Sequence, residues 1–306
     1  MRSRSNKIRQ KCSASDVLIS ILTYVFFAAF AFICIYPFYY IFINTISAND
    51  LSQKGLILFL PKQVHLQNYV KAVRIPGLFN AAMVSVGRTA IGTLCTVTAT
   101  AFLGYMFTRE SLWHRKFWYR FVLITMYFNA GIIPWYITMR NIHLTNNFLG
   151  YILPTIVSPF FVILAKTFVE SIPKELEQAA EIDGAGTMKV FFMVIMPVIK
   201  PIMATVAIFA AVSQWNAFQD TLLLMTDSKL YSLQFILYQY INQASSLKQL
   251  VNSSSGSQVA QTIATVQTAT SIRMTVTIIV VAPILLIYPI FQRYFVKGIM
   301  IGAVKG

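Results

Sequence analysis

Acidic residues are scarce in this chain. Of 306 residues, 10 are Asp or Glu and 25 are Lys or Arg, so charged residues make up only 11% of the sequence. Soluble domains carry charge at about 25% of their positions. Here 57% of the residues are hydrophobic and the mean hydropathy is +0.63. This composition excludes an ordinary soluble domain and predicts a membrane protein.

Cysteine and histidine are also sparse and scattered. They occur at Cys12, Cys34, Cys95, His65, His114 and His143. This spacing matches neither a disulfide framework nor a zinc site, so we expect no metal centre.

Nucleotide-binding and catalytic motifs are missing as well. No GxxxxGK[ST] phosphate loop occurs, so the chain is not expected to hydrolyse nucleotide itself. The turn DGAGTMK at residues 183–189 lacks the third glycine and the preceding strand of a dinucleotide-binding turn. No nucleophile, acid pair or metal cluster has a spacing suited to catalysis at membrane depth. We therefore predict a non-catalytic protein with no catalytic residues.

Asp and Glu are absent from the interiors of the apolar stretches. An ion-coupled secondary carrier normally uses such acids to bind a proton or sodium ion, so this class of transporter is the less favoured alternative.

The net charge of +15 comes from basic residues in loops beside apolar stretches. That pattern indicates membrane topology and contact with anionic lipid, not nucleic-acid binding.

Long apolar stretches dominate what is present. About six are long enough to cross a ~30 Å hydrocarbon layer. They lie at residues 17–43, 81–107, 117–139, 148–167, 191–218 and 273–294. We predict an all-α polytopic membrane protein with one transmembrane domain (16–294), a basic N-terminal segment (1–15) and a C-terminal tail (295–306).

The distribution of Lys and Arg predicts the orientation. Basic residues are concentrated before the first stretch, between the second and third, and after the sixth. We therefore expect both termini and the polar segment between the fourth and fifth stretches to lie in the cytoplasm.

That polar segment, residues 171–201, reads SIPKELEQAAEIDGAGTMKVFFMVIMPVIKP. Pro173, Glu175 and Glu177 are typical of a first helical turn, where the helix dipole favours acids. The Asp183-Gly184 pair breaks the run, and a second amphipathic piece follows and kinks at Pro197. The periodicity fits a helix lying flat among lipid headgroups and equally a helix offered to a soluble partner.

The same segment resembles the signature loop of the permease subunits of ATP-binding cassette (ABC) importers. The matching positions are Ala179, Ala180, Gly184, Val194, Met196 and Pro197, and Gln178 stands where the family usually has glutamate.

Further stretches resemble the carbohydrate-uptake branch of that family, which includes the second maltose permease and permeases for complex or uronate-containing oligosaccharides. They are NAGIIPWY (129–136), NNFLGYILP (146–154), IPKELEQAAEIDGAG (172–186), QWNAFQD (214–220) and FQRYFVKGIMIGAVKG (291–306).

The resemblance implies a type I ABC importer permease fold with a cytoplasmic coupling helix, within residues 171–190, that docks on an ATPase subunit. The implied contact residues are Glu175, Glu177, Gln178, Ala179, Ala180, Asp183 and Gly184.

The resemblance also implies a set of partners in a bacterial cytoplasmic membrane. They are a second homologous permease, two ATPase subunits that bind ATP and Mg, an extracellular binding protein, membrane lipid and an oligosaccharide substrate. No cofactor is expected on this chain and no nucleic acid as a partner. A non-sugar solute such as a peptide is the alternative substrate.

Polar and aromatic residues inside the stretches are candidates for the substrate path, because sugars bind planar hydrogen-bonding groups and aromatic faces. They are Tyr127, Asn129, Gln214, Trp215, Asn216 and Gln219. Interhelical packing or anchoring at the membrane interface would also explain each of them.

Arg88 lies inside the second stretch and needs a partner or a water-filled interior. A role in binding an anionic sugar, an intramolecular ion pair and snorkelling all fit the sequence. The outer regions 47–79 and 220–271 fit flexible connections, whereas the resemblance implies that they dock an extracellular binding protein. Residues 231–241 fit a short interfacial helix.

Overall fold

The computed structural model describes residues 14–253, 270–287 and 289, and these ranges contain helices and loops but no strand. The helices are α1 (Ala14–Thr45), α2 (Asn49–Gln53), α3 (Gln67–Val73), α4 (Leu78–Met106), α5 (Arg115–Tyr127), α6 (Ile132–Asn141), α7 (Pro159–Glu170), α8 (Lys174–Ile182), α9 (Thr187–Val190), α10 (Met196–Asn216), α11 (Gln219–Leu224), α12 (Leu233–Ser253) and α13 (Thr270–Ile287). Short 3₁₀ segments occur at Phe148–Tyr151, Leu153–Thr155 and Ser228–Leu230. The predictions for residues 1–13, for residues 254–269 of the outer region 220–271, and for the C-terminal tail with its motif lie outside the described residues.

Four helices within the described ranges are long and apolar enough to cross a bilayer: Ser15–Thr45, Leu78–Met106, Thr187–Asn216 and Thr270–Ile287. A fifth candidate is a broken span in which Phe148–Thr155 and Pro159–Glu170 meet at 48°. These five correspond to the first, second, fourth, fifth and sixth predicted stretches.

The third predicted stretch, 117–139, is not one continuous helix, and that prediction is wrong. It divides into α5 and α6, of 13 and 10 residues, and neither passes as a span on its own. The break lies at Asn129–Gly131, where Gly131 has φ of +86° and its N–H donates to the Asn129 side chain at 2.9 Å. Averaged hydropathy does not detect this turn, because apolar residues flank it on both sides.

The fifth stretch begins earlier than predicted. Residues Thr187–Asn216 form one span in which a π-helical segment, Phe191–Ile195, joins α9 to α10 just before Pro197. Proline has no N–H to donate to the preceding turn. The span passes through Pro197 and Pro201 without ending.

α4 is the central helix of the core and packs against α7, α10 and α12. Near its C-terminal end Tyr105 stacks on Phe191, with ring centroids 5.5 Å apart. A few residues away the backbones of α4 and α7 approach closely, because a methyl group built on Gly104 would come within 2.6 Å of Ala165 Cβ. Small residues at such contacts are typical of packed membrane helices.

The segment between α1 and α4 is a packed cap and not a flexible connection. Asn44 and Ser52 are joined by a hydrogen bond of 2.7 Å, and the Asn68 amide donates to the carbonyl of Thr45 at 2.8 Å. All four side chains are buried. On the other outer segment, α12 is longer than the predicted interfacial helix at 231–241.

Replacing Gly104 with alanine tests the close packing of α4 on α7. Alanine favours helices over glycine by about 1 kcal/mol, yet the new methyl group must displace Ala165, and overpacking costs about 1–3 kcal/mol. We expect Gly104→Ala to lower the unfolding temperature of the purified protein. Gly87→Ala is the matched control on α4, because its methyl group would lie 3.6 Å from the Phe148 ring. Equal unfolding temperatures for the two variants would contradict tight packing at Gly104.

Candidate functional site

α8 has well-defined ends. Pro173 directly precedes its first residue, and Glu175 and Glu177 lie in the first turn as predicted. At the other end Gly184 has φ of +78°, the Ala185 N–H donates to Ala180 O at 2.9 Å, and the Gly184 N–H donates to Glu181 O at 3.0 Å. This is the Schellman arrangement that a glycine after a helix permits. The predicted break at Asp183-Gly184 is therefore a helix stop.

One face of α8 is held against the membrane domain. Arg109, just beyond α4, donates to Glu177 at 2.9 Å and to Glu181 at 2.5 Å. Ala180 and Ala185 pack against the core around Tyr105 and Phe191. Two of the predicted contact residues, Glu177 and Ala180, thus face this chain.

The opposite face of α8 is exposed and partly apolar. Glu175, Gln178, Ala179, Asp183 and Gly184 are exposed, as a contact surface requires. Among them lie Leu176 and Ile182, with 46% and 86% of their surface exposed. Sequence reasoning missed these two and Arg109. The spacing of Leu176, Ala179 and Ile182 at every third position of a polar helix was the available signal.

The ion pairs of Arg109 secure its charge. Burial lowers the pKa of the Arg109 guanidinium, but its hydrogen bonds to Glu181 and Glu177 and its electrostatic interactions with Tyr105 and Glu181 more than offset this. The net pKa is raised. Arginine is charged at physiological pH in any case, so Arg109 can pair with both carboxylates of α8 there.

Arg88 is the centre of a second polar site, in the N-terminal half of α4. Its side chain is 1% exposed, and Nε and Nη2 both donate to Gln214 Oε1, at 3.2 and 3.1 Å. Nη1 donates to Ala217 O at 3.2 Å and to Asp220 Oδ1 at 3.1 Å, and Nη2 also donates to Asp220 Oδ2. The five N–H groups of the guanidinium are therefore all directed at acceptors.

Further polar residues extend this site. The Arg88 guanidinium lies over the Tyr151 ring at 4.3 Å, and the Tyr151 hydroxyl donates to Leu230 O at 2.6 Å. The Gln214 amide donates to Thr155 Oγ1 at 2.7 Å. We call Arg88, Tyr151, Gln214 and Asp220 the polar hub. It joins α4, the broken span, α10 and α11.

A cleft opens beside the polar hub at the break between α5 and α6. Its volume is about 310 Å³. We call it the α5–α6 cleft, and it is lined by Asn129, Gly131, Ile132, Trp135, Ala217, Gln219, Asp220 and Leu223. It brings together two predicted substrate-path residues, Asn129 and Gln219. Asp220 and Trp135, which sequence reasoning did not select, complete its polar and aromatic surface.

The other predicted path residues lie elsewhere. Gln214 is buried behind the cleft in the polar hub. Trp215 donates from its indole N–H to Val280 O at 3.0 Å and so faces α13. Asn216 accepts from the Gln234 amide at 3.1 Å, and Tyr127 is 85% exposed at the end of α5.

Comparison with known proteins shows which family this chain belongs to. No family model matches the chain. Protein LplC of Bacillus subtilis is 32% identical over 275 residues, which cover 90% of each chain. The polygalacturonan/rhamnogalacturonan transport system permease protein YtcP of Bacillus subtilis is 29% identical over 290 residues, which cover 94% of this chain and 99% of YtcP. This chain belongs to the family of carbohydrate ABC importer permeases.

A solved structure agrees with this ABC permease assignment. A crystal structure of a bacterial ABC transporter involved in the import of the acidic polysaccharide alginate superposes with a TM-score of 0.80 at 25% identity. The match covers 92% of this chain and 98% of that one. The resemblance inferred from the motifs is thus confirmed, as is the all-α multi-pass membrane fold.

The Arg88–Asp220 pair of this permease is expected to be strongly coupled energetically. Removing one member of a buried ion pair costs about 3–5 kcal/mol, because the other charge is left without a partner. We expect Arg88→Met and Asp220→Leu each to destabilise the protein severely, and the double variant to cost clearly less than their sum.

The measurement is a double-mutant cycle of unfolding free energies in detergent. The more exposed Lys166–Glu170 pair, 2.6 Å apart with side chains 16% and 51% exposed, serves as the control. Its cycle should be nearly additive. Additive costs for Arg88 and Asp220 would contradict the ion pair.

Proposed function

We propose that this chain forms half of the translocation path of an ABC importer for an oligosaccharide. A second, homologous permease completes the path. Two ATPase subunits that bind ATP and Mg²⁺ drive it, and an extracellular binding protein delivers the sugar. The polygalacturonan/rhamnogalacturonan permease and the alginate importer support a carbohydrate substrate, with uronate-containing oligosaccharides as the favoured class.

The observation that carries the coupling part of this proposal is the apolar ridge of α8, formed by Leu176, Ala179 and Ile182. Ile182 is 86% exposed on a helix whose exposed residues outside this ridge are polar, and it contributes little to the packing of its own chain. Exposed apolar side chains rimmed by polar ones are typical of protein interfaces. The exposed Glu175, Gln178 and Asp183 form that rim. We assign this ridge to the groove of an ATPase subunit.

The attachment of α8 supports transmission of motion. Arg109 ties α8 to the end of α4 through Glu177 and Glu181, and Ala180 and Ala185 seat it on the core. Because α8 is fixed to the membrane domain at several points, movement of an ATPase subunit would displace α4 and its neighbours together. A rigid element of this kind can convert closure of the ATPases into rocking of the membrane helices.

The orientation and the second permease are supported by charge and by burial. The positive-inside pattern supports a cytoplasmic location for α8 and for both termini. None of the apolar window of α1 is buried by its own chain. Such a helix must be covered by lipid or by another membrane subunit, and we propose that the second permease covers part of it.

Replacing Ile182 with glutamate tests the coupling surface. Loss of an interface anchor typically costs about 2 kcal/mol or more, and glutamate would in addition bury an unpaired charge. In the full transporter, co-expressed with its neighbouring subunits, we expect Ile182→Glu to reduce copurified ATPase and binding-protein-stimulated ATP hydrolysis at least ~tenfold. The unfolding temperature of the permease itself should stay unchanged.

Ile182→Leu is the matched control and should retain ATPase binding. The proposal fails if Ile182→Glu retains ATPase and hydrolyses ATP at the wild-type rate. It also fails if no ATPase copurifies with the wild-type permease.

A further inference from the structure

The α5–α6 cleft contains hydrogen-bonding groups that have no partner among the described residues. Asn129 uses its carbonyl oxygen for the Gly131 N–H at 2.9 Å, which leaves its NH₂ group free to donate. The Trp135 indole N–H and the Gln219 side-chain amide make no hydrogen bond to any residue within the described ranges. These groups, with the half-buried Trp135 ring, surround one space.

Asp220 adds an acceptor at the base of the cleft. Its Oδ1 accepts from the Thr221 N–H at 2.8 Å and from Arg88 at 3.1 Å, while Oδ2 accepts from Arg88 alone. The side chain is 14% exposed. A carboxylate oxygen has two acceptor positions, so Oδ2 can still accept one hydrogen bond from the cleft.

The charge of the cleft separates two kinds of ligand. Asp220 is the charged residue among those that line it, and neither Lys nor Arg belongs to that set. Arg88 neutralises Asp220 from behind, but it is 1% exposed and its N–H groups are all engaged. A ligand carboxylate in this cleft would meet a carboxylate and no available cation, which is unfavourable. A hydroxyl group could both donate to Asp220 and accept from Asn129, Trp135 or Gln219.

The size of the cleft limits what it can take. At about 310 Å³ it lies at the lower end of the ~300–1,000 Å³ range of small-molecule sites. This suits one sugar residue of a longer chain, with its apolar face against Trp135.

We propose that the α5–α6 cleft is a sugar subsite that recognises hydroxyl groups of one sugar residue through Asp220, Gln219, Asn129 and Trp135, and that it does not recognise uronate carboxylates. Arg88 acts as a positioning residue that holds Asp220. The proposal rests on the proposed function as a sugar importer. Any preference for acidic sugars then arises in the binding protein or the second permease.

The test uses the full transporter with its binding protein and measures uptake of trigalacturonate, of its carboxyl-reduced analogue galactotriose, and of raffinose. The variants are Gln219→Ala and Trp135→Phe, because neither removes a partner of Arg88. Loss of one hydrogen bond to an uncharged group lowers binding about three- to tenfold. We expect each variant to reduce uptake of galactotriose and of trigalacturonate by this factor and to a similar extent.

Asn141→Ala is the matched control. It removes an exposed amide at the end of α6 that does not line the cleft, so uptake should not change. Unfolding temperature and copurified ATPase verify that every variant is assembled.

Two results would overturn the subsite while leaving the importer intact: wild-type uptake rates in Gln219→Ala and Trp135→Phe, or a loss confined to trigalacturonate. Failure of the assembled wild-type transporter to take up any of the three sugars counts against the proposed function itself, and the subsite proposal falls with it.

Discussion

A charged guanidinium inside a membrane-spanning helix is the constraint on which the centre of this fold depends. Arg88 is 1% exposed, and a buried charge is tolerated only with a partner and a full set of hydrogen bonds. The acceptors are Gln214 near the end of α10, the carbonyl of Ala217, and Asp220 on α11. Because α10 ends at Asn216, the Ala217 carbonyl is free to accept from Arg88. The break between α10 and α11 therefore supplies a backbone acceptor for the Arg88 guanidinium.

The polar hub and the attachment of α8 lie at separate positions along the same helix: the hub at Arg88 in the N-terminal half of α4, and the attachment just beyond its C-terminal end. From Arg88 to the end of α4 at Met106 the helix rises roughly 27 Å at 1.5 Å per residue, and Arg109 follows just beyond that end. Arg88 fixes α4 to α10 and α11 beside the α5–α6 cleft, and Arg109 fixes it to α8. Gly104 allows α7 to pack closely between these two points. The exposed surface of α8 and the cleft are thus connected through one continuous helix, α4, with Arg88 paired within it and Arg109 paired just beyond it.

Sequence patterns predicted the local features well and the long-range ones poorly. The first turn of α8 and its stop at Gly184 follow from residues within a few positions of each other, so they could be read directly. Arg88 predicted that a partner exists, but Asp220 is 132 residues away and just beyond the predicted end of its stretch. Sequence patterns did not predict the role of Arg109 either, because its partners Glu177 and Glu181 are also distant in the sequence. The turn at Asn129–Gly131 creates the cleft. It was not predicted, because hydropathy averaged over the flanking apolar residues does not detect it.

Close approach at Gly92 explains why the polar hub needs more than matching charges. A methyl group built on Gly92 would come within 2.7 Å of the Gln214 amide nitrogen. Gln214 must lie directly against the α4 backbone at Gly92 to accept from Arg88 and to donate to Thr155 at the same time. A larger residue would push Gln214 away, and Arg88 would then lose the acceptor of its Nε. Asp220 alone accepts from only Nη1 and Nη2. Backbone proximity at Gly92 is therefore as necessary to the buried charge as the carboxylate that neutralises it.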